Sequence, residues 1–143
     1  MKKSISTIAA AAIIMFTSFT AVAASSVNPL KTFESTKIIS AYIEATTLGA
    51  VDLNKFLFAE DFEYQNVANG DNFNKKAYTK FLESNKGLQY DCETAYQILD
   101  ENSQACLAKT TMKFKNFTRI DYITLSNTDN GWKVSKVVTS YTK

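Results

Sequence analysis

Apolar residues recur at intervals of three and four in the first half of the chain, which is the spacing of amphipathic helices. The first such stretch covers 30–48 and is followed by Gly49, which predicts a helix with a glycine at its C-terminal end. Asp52 is placed to cap a short second helix. A third helix is predicted over 75–85, with Asn74 as its N-cap.

Apolar and polar residues alternate in the remaining segments, and this period of two predicts strands. The predicted strands are 60–65, 90–98, 106–114, 117–125 and 132–141. Helices grouped before a run of hairpin-linked strands indicate the α+β class. We therefore expect two to three N-terminal helices packed on one face of a strongly curved antiparallel β-sheet, which leaves a cavity between helices and sheet.

The two cysteines lie on opposite sides of a predicted turn at 100–103. A hairpin centred on that turn places Cys92 opposite Thr110 and Cys106 opposite Tyr96. About four residues of strand, roughly 13 Å, then separate the two sulfurs, which is beyond the reach of a disulfide. We therefore expect free thiols.

The N-terminus has the pattern of a secretory signal peptide. Lys2 and Lys3 precede an apolar run over 5–19, and Ala21 and Ala23 stand at the positions that signal peptidase reads. We expect cleavage near Ala23, a single domain over 24–143, and a secreted or periplasmic location in a bacterium. We expect no membrane association after cleavage.

Charge and composition narrow the classes of partner. Without the first 23 residues the basic count falls from 16 to 14, which equals the acidic count of 14. A neutral domain with one arginine, Arg119, lacks the positive surface of a nucleic-acid binder. The chain has no histidine, which excludes histidine triads and histidine metal sites. We expect neither a metal nor a cofactor.

Five segments of the chain carry a resemblance to a known superfamily: 38–42, 57–64, 76–82, 119–125 and 131–141. In these segments and in the order of its elements, the chain resembles the nuclear transport factor 2-like superfamily, whose fold is a cystatin-like, cone-shaped roll. More narrowly, it is similar to the exported bacterial branch labelled "putative lumazine-binding". The resemblance covers nearly all of the chain after residue 23 and implies a ligand cavity inside the cone and a homodimer.

Three functions are compatible with these observations. The leading hypothesis is an exported, non-catalytic domain that binds a small hydrophobic or aromatic molecule or serves as an accessory module. The first alternative is a lyase or isomerase of the ketosteroid-isomerase or dehydratase type, with an Asp/Tyr pair in the cavity and Asp61, Tyr64 or Asp121 as candidates. Burial of Asp61 or Asp121 inside a cavity, with a tyrosine hydroxyl within hydrogen-bond reach, would favour this enzyme, and exposure of both carboxylates would exclude it. The second alternative is a dimeric protein-interaction module.

Candidate binding residues are the aromatic and apolar side chains of predicted helices and strands. They are Tyr42, Tyr64, Tyr78, Tyr96, Met112 and Trp132. Each either lines an open cone or fills a closed core; Trp132 either stacks on a planar ligand or anchors the sheet on the helices. For a dimer, the predicted exposed patch is Ile123, Leu125, Val137 and Tyr141.

Overall fold

The computed structural model describes residues 26–143. The predicted signal peptide over 1–23 lies outside the described residues and stays a prediction. No helix within 26–143 is long and apolar enough to cross a membrane.

Within the described residues three helices form as the periodicity predicts, and they lie on one face of the sheet. They are α1 (Ser35–Thr47), α2 (Asn54–Leu57) and α3 (Lys75–Ser84). The apolar face of α1 buries Ile38, Ile39 and Tyr42 completely, at the spacing of one helical face. The buried side chains thus match the residues that the pattern marked as apolar.

The predicted helix caps meet different outcomes. The Asn74 side chain accepts a hydrogen bond from the Ala77 amide at 2.9 Å, which confirms the cap of α3. The predicted cap by Asp52 is wrong, because α2 begins two residues later, behind Leu53, and no side chain caps it. Asp52 instead forms a salt bridge with Lys86, in which Lys86 Nζ lies 3.2 Å from Asp52 Oδ1.

In the part of the chain that the structure describes, six strands form one curved, unclosed sheet. They are β1 (Phe58–Asn66), β2 (Asn72–Asn74), β3 (Glu93–Glu101), β4 (Ala105–Lys113), β5 (Thr118–Thr128) and β6 (Gly131–Thr142). Their order is β2-β1-β6-β5-β4-β3. The α+β class is confirmed, but the sheet is mixed, since β1 runs parallel to β6 while the other pairs are antiparallel. The prediction of a wholly antiparallel sheet overlooked this pair, whose strands lie far apart in sequence.

The β3–β4 hairpin has a different register from the predicted one. Tyr96 pairs with Thr110 and Glu101 with Cys106, so the turn is centred about two residues later than expected, and a bulge follows Ile98. The prediction of free thiols holds nevertheless, because both Cys92 and Cys106 are free. The register error arose because neither the bulge nor the position of the turn was visible in the alternating pattern.

The predicted dimer patch lies mostly on the wrong face of the sheet. Ile123, Leu125 and Val137 are fully buried, so they belong to the core, and only Tyr141 is exposed. Their strand neighbours lie on the outer face and are exposed, as Tyr122 is, or partly exposed, as Thr124 is. Because side chains alternate between faces, an error of one position exchanges the core and solvent sides of a strand.

The end of α1 packs closely against the loop that follows α3. Gly49 has a φ of +63°, and a Cβ atom there would lie about 2.6 Å from the carbonyl oxygen of Asn85. The Gly87 amide donates to the Gly49 carbonyl, and the Tyr90 amide donates to the Thr47 carbonyl at 2.8 Å. These contacts fix the position of Tyr90 relative to α1.

We expect Gly49→Ala to lower the free energy of unfolding by about 3 kcal/mol, because it combines left-handed backbone strain with a clash against backbone. Gly70→Ala is the matched control, since Gly70 has a φ of +80° and open space around the added Cβ. It should cost only about 1 kcal/mol. Urea denaturation measures both variants, and equal losses would contradict the close packing.

Candidate functional site

A buried carboxylate, Asp121, lies at the centre of a polar cluster inside the cone. Its side chain is completely buried and accepts four hydrogen bonds. Arg119 donates from Nε to Oδ1 and from Nη2 to Oδ2, both at 2.9 Å. Thr139 donates to Oδ1 at 2.7 Å, and the Tyr42 hydroxyl donates to Oδ2 at 2.6 Å. We call these four residues the Asp121 cluster.

The strand geometry accounts for the assembly of the cluster. Arg119 and Asp121 are two positions apart on β5, so both point to the same face of the sheet. Thr139 is the residue of β6 that pairs with Asp121, and Tyr42 reaches the cluster from the buried face of α1. Two strands and one helix are therefore joined at one carboxylate.

Burial and charge control the ionisation of the neighbours of Asp121. Burial and then the negative charge of Asp121 raise the pKa of Tyr42 well above its ordinary value. Burial is the largest single influence and lowers the pKa of Arg119, but the charge of Asp121, its hydrogen bond and the neighbouring Tyr42 and Tyr78 together raise the pKa well above its ordinary value. Arg119 thus stays charged and Tyr42 stays a neutral donor.

The geometry that would favour an enzyme is present only in part, since Asp121 is buried with the Tyr42 hydroxyl within hydrogen-bond reach but is not a lining residue of a cavity. The arrangement is also poorly suited to proton transfer. Each carboxylate oxygen already accepts two hydrogen bonds, and Asp121 does not line the neighbouring cavity. A general base needs an oxygen within reach of its substrate. The cluster instead holds the Arg119 guanidinium in one orientation.

A cavity of about 440 Å³ opens beside Arg119, which is the one member of the Asp121 cluster that lines it. Seven of its eleven lining residues are aromatic, and the other four are polar or charged. The lining consists of Tyr64, Phe73, Phe81, Tyr90, Phe114, Phe117, Tyr141, Asn66, Asn69, Asp71 and Arg119. We call it the aromatic cavity.

The aromatic side chains form two groups around this cavity. Phe73 stacks on both Tyr64 and Phe81, with ring centroids 5.7 and 6.3 Å apart. In the second group, Phe117 stacks on Phe114 at 4.6 Å and contacts Tyr141 at 5.9 Å. Stacked rings with exposed faces are suited to bind a planar ring.

Tyr64 connects the first group to the protein core. It stacks on the buried Tyr78 at 4.6 Å, and the Tyr78 hydroxyl lies 3.4 Å from that of Tyr42 in the Asp121 cluster. Burial raises the pKa of Tyr64, so its phenol remains neutral in ordinary buffers.

The structure separates the predicted site residues. Of the six predicted binding residues, Tyr64 alone lines the aromatic cavity. Tyr42, Tyr78 and Met112 are fully buried and belong to the core.

The other predicted residues lie elsewhere. Tyr96 is 44% exposed and lines a groove between α1 and β3. Trp132 is half-buried against the core at the start of β6, far along the strand from Tyr141. Asp61, a catalytic candidate, is exposed on β1. Within residues 26–143 no three His, Cys, Asp or Glu side chains are grouped so that they could hold a metal ion.

Sequence reasoning missed Arg119 as a site residue and most of the aromatic lining. Arg119 carried a signal, because it is the only arginine and lies two positions before Asp121 on a predicted strand. Apart from Tyr64, the aromatic lining residues lie in β2, α3, the α3–β3 loop, the β4–β5 turn and β6. Only the tertiary structure brings them together.

The family described as "Putative lumazine-binding" matches residues 32–140, about three quarters of the chain. The chain belongs to this family. The resemblance inferred from the sequence is thus confirmed, and the description of the family concerns a small-molecule ligand. A search of the curated proteins found no match.

Solved structures share the NTF2-like fold at low sequence identity. A protein of unknown function from the DUF3225 family of Pectobacterium atrosepticum is 17% identical, with a TM-score of 0.64 over 76% of this chain and 88% of that one. An NTF-2 like protein of unknown function from Silicibacter pomeroyi is 14% identical, with a TM-score of 0.62 over 75% and 92%. An uncharacterised protein with a cystatin-like fold from Caulobacter vibrioides is 14% identical, with a TM-score of 0.62 over 76% and 87%. These likenesses confirm the cone-shaped fold.

Two buried threonines test the energetics of the cluster. The Thr139 hydroxyl donates a hydrogen bond to Asp121. Thr110 lies opposite Asp121 on the neighbouring strand β4, but its hydroxyl has no hydrogen-bond partner among the described residues. We expect Thr139→Val to lower the free energy of unfolding by about 2 kcal/mol, because it removes a hydrogen bond to a charged group.

Thr110→Val should be neutral or stabilising by up to about 1 kcal/mol, because it removes a buried hydroxyl that has no partner. Both threonines are fully buried, so the pair is matched in environment. Chemical denaturation of the two variants measures the difference. Equal losses would show that the Thr139 hydroxyl contributes nothing through Asp121.

Proposed function

We propose that this domain binds a planar aromatic small molecule in the aromatic cavity and carries out no chemistry on it. The observation that carries the proposal is the lining, in which seven aromatic side chains surround about 440 Å³ beside a fixed guanidinium. Small-molecule sites are typically apolar cavities of this size with a few well-placed polar groups.

The family description supports a ligand of this shape. Lumazine is a planar bicyclic heterocycle, and the family to which the chain belongs is described as "Putative lumazine-binding". Stacked aromatic side chains recognise such rings because both partners present flat, polarisable faces. Lumazine is therefore the first probe to use.

The non-catalytic part of the proposal rests on the Asp121 cluster. The second candidate, a lyase or isomerase, is favoured by one observation, the 2.6 Å hydrogen bond between Tyr42 and Asp121. That function would require Arg119 to leave Asp121, and separation of a buried ion pair costs about 3 kcal/mol or more. We therefore rank binding above catalysis.

Two tyrosines of similar exposure test the location of the site. Tyr141 lines the aromatic cavity and is 42% exposed, while Tyr122 lies on the outer face of the sheet and is 40% exposed. We expect Tyr141→Ala to weaken the binding of lumazine about tenfold, since stacking on one aromatic ring contributes about 1–3 kcal/mol.

Tyr122→Ala is the control and should change the dissociation constant less than twofold. Equilibrium dialysis with lumazine measures both, and circular dichroism confirms that each variant is folded. Binding that is weakened equally by the two substitutions would contradict a site in the aromatic cavity.

We also infer that the chain is exported and forms a homodimer through the outer face of the sheet. The first 23 residues have the signal-peptide pattern, and Leu99, Leu107 and Tyr122 are exposed apolar side chains. Leu107 and Tyr122 alternate with the buried positions of their strands, which places both on the outer face.

Native mass spectrometry of the full-length protein expressed in a bacterium tests both inferences. We expect twice the mass of a chain that has lost residues 1–23, recovered from the periplasm or medium. A monomeric species contradicts the homodimer, and a chain that retains Met1 contradicts export.

A further inference from the structure

The Arg119 guanidinium has unused hydrogen-bonding capacity beside the aromatic cavity. A guanidinium carries five N–H groups, of which Nε and Nη2 donate to Asp121. Nη1 donates to no described residue. Because it is absent from the fully buried side-chain atoms that lack a partner, it is not fully buried. Since Arg119 lines the cavity and its side chain is 12% exposed, Nη1 is accessible from that side.

This donor is held in position before any ligand arrives. The two parallel hydrogen bonds to Asp121 orient the plane of the guanidinium, and Thr139 and Tyr42 in turn hold the carboxylate. A donor that is already ordered loses little conformational entropy on binding. Arg119 therefore has the properties of a fixed anchor.

The other polar groups of the cavity differ from Arg119. Asp71 is exposed, and its Oδ2 accepts a hydrogen bond from Asn69 within the β1–β2 loop. The Asn66 side-chain oxygen accepts from the Ala68 amide in the same loop. Among the described residues Arg119 is the only cation in the lining, and it lies opposite Tyr141 in the β5–β6 pair.

We propose that Arg119 determines the specificity of the aromatic cavity by donating from Nη1 to an oxygen acceptor carried on the ring system of the ligand. The acceptor is a carbonyl or carboxylate oxygen, and both use the same donor geometry. This inference rests on the proposed function, because it requires the aromatic cavity to bind a planar ring.

Three compounds with one ring system test the inference in the unaltered protein: 2-methylnaphthalene, 2-naphthamide and 2-naphthoate. We expect at least one of the two oxygen-bearing compounds to bind at least tenfold more tightly than 2-methylnaphthalene, because a charged donor gains a partner. Equilibrium dialysis at low and high salt measures all three. Tighter, salt-dependent binding of 2-naphthoate assigns the acceptor to a carboxylate, and equal or tighter binding of 2-naphthamide assigns it to a neutral carbonyl.

The double variant Arg119→Met with Asp121→Asn removes both charges of the ion pair together and so avoids an unpaired buried charge. It should lose the preference for the oxygen-bearing compounds, so that all three compounds bind to it with similar affinity. The binding of 2-methylnaphthalene also shows whether the variant is folded. If this variant fails to fold, the compound series in the unaltered protein still tests the role of Arg119.

The outcomes separate the two proposals. If none of the three compounds binds and lumazine does not bind, the proposed function itself is wrong. If all three compounds bind with similar affinity, the cavity binds planar rings and the role assigned to Arg119 is overturned. A preference that persists in the double variant also overturns that role.

Discussion

Arg119 and Asp121 form an ion pair that folding removes from water, and removal of two charges from water is costly unless every hydrogen-bonding position is filled. In this protein the carboxylate accepts four hydrogen bonds, two from Arg119 and one each from Thr139 and Tyr42. The requirement to fill these positions links β5, β6 and α1 at one point. A shift of α1 along the sheet would move the Tyr42 hydroxyl away from Oδ2 of Asp121, which would keep only its hydrogen bond from Arg119.

The same constraint shapes the aromatic cavity. Because Asp121 holds Arg119, the guanidinium remains at the cavity wall instead of extending into solvent. The Tyr42 hydroxyl lies beside that of Tyr78, and Tyr78 stacks on Tyr64, whose ring faces the cavity. The charged and aromatic parts of the lining are thus both supported by buried groups. A preformed site of this kind binds a rigid, planar molecule with little rearrangement.

Hydrophobic periodicity predicted the three helices, most of the strands and the α+β class, because burial of one face determines these elements. It failed where position depends on distant partners or on single-residue irregularities, as in the parallel β1–β6 pair and the β3–β4 register. The sequence does contain enough information to predict which residues of β5 face the core. Every second residue of β5 points to the same face, and this set includes Arg119, Asp121, Ile123 and Leu125. Because Ile123 and Leu125 are apolar and face the core, the ion pair must face the core as well. The aromatic cavity was not readable, because its lining comes from separate segments that only the fold unites.

The central claim is that Arg119 is held by Asp121 and presents Nη1 to a ligand, and one measurement addresses it directly. Arg119 is the only arginine in the sequence, so nitrogen-15 NMR of protein labelled at arginine gives an unambiguous side-chain signal. A guanidinium held by Asp121 gives separate, slowly exchanging Nη1 and Nη2 signals in the free protein, and we expect a saturable shift of the Nη1 signal as lumazine is added. A single averaged Nη signal that lumazine leaves unchanged would contradict both the fixed guanidinium and its role in binding.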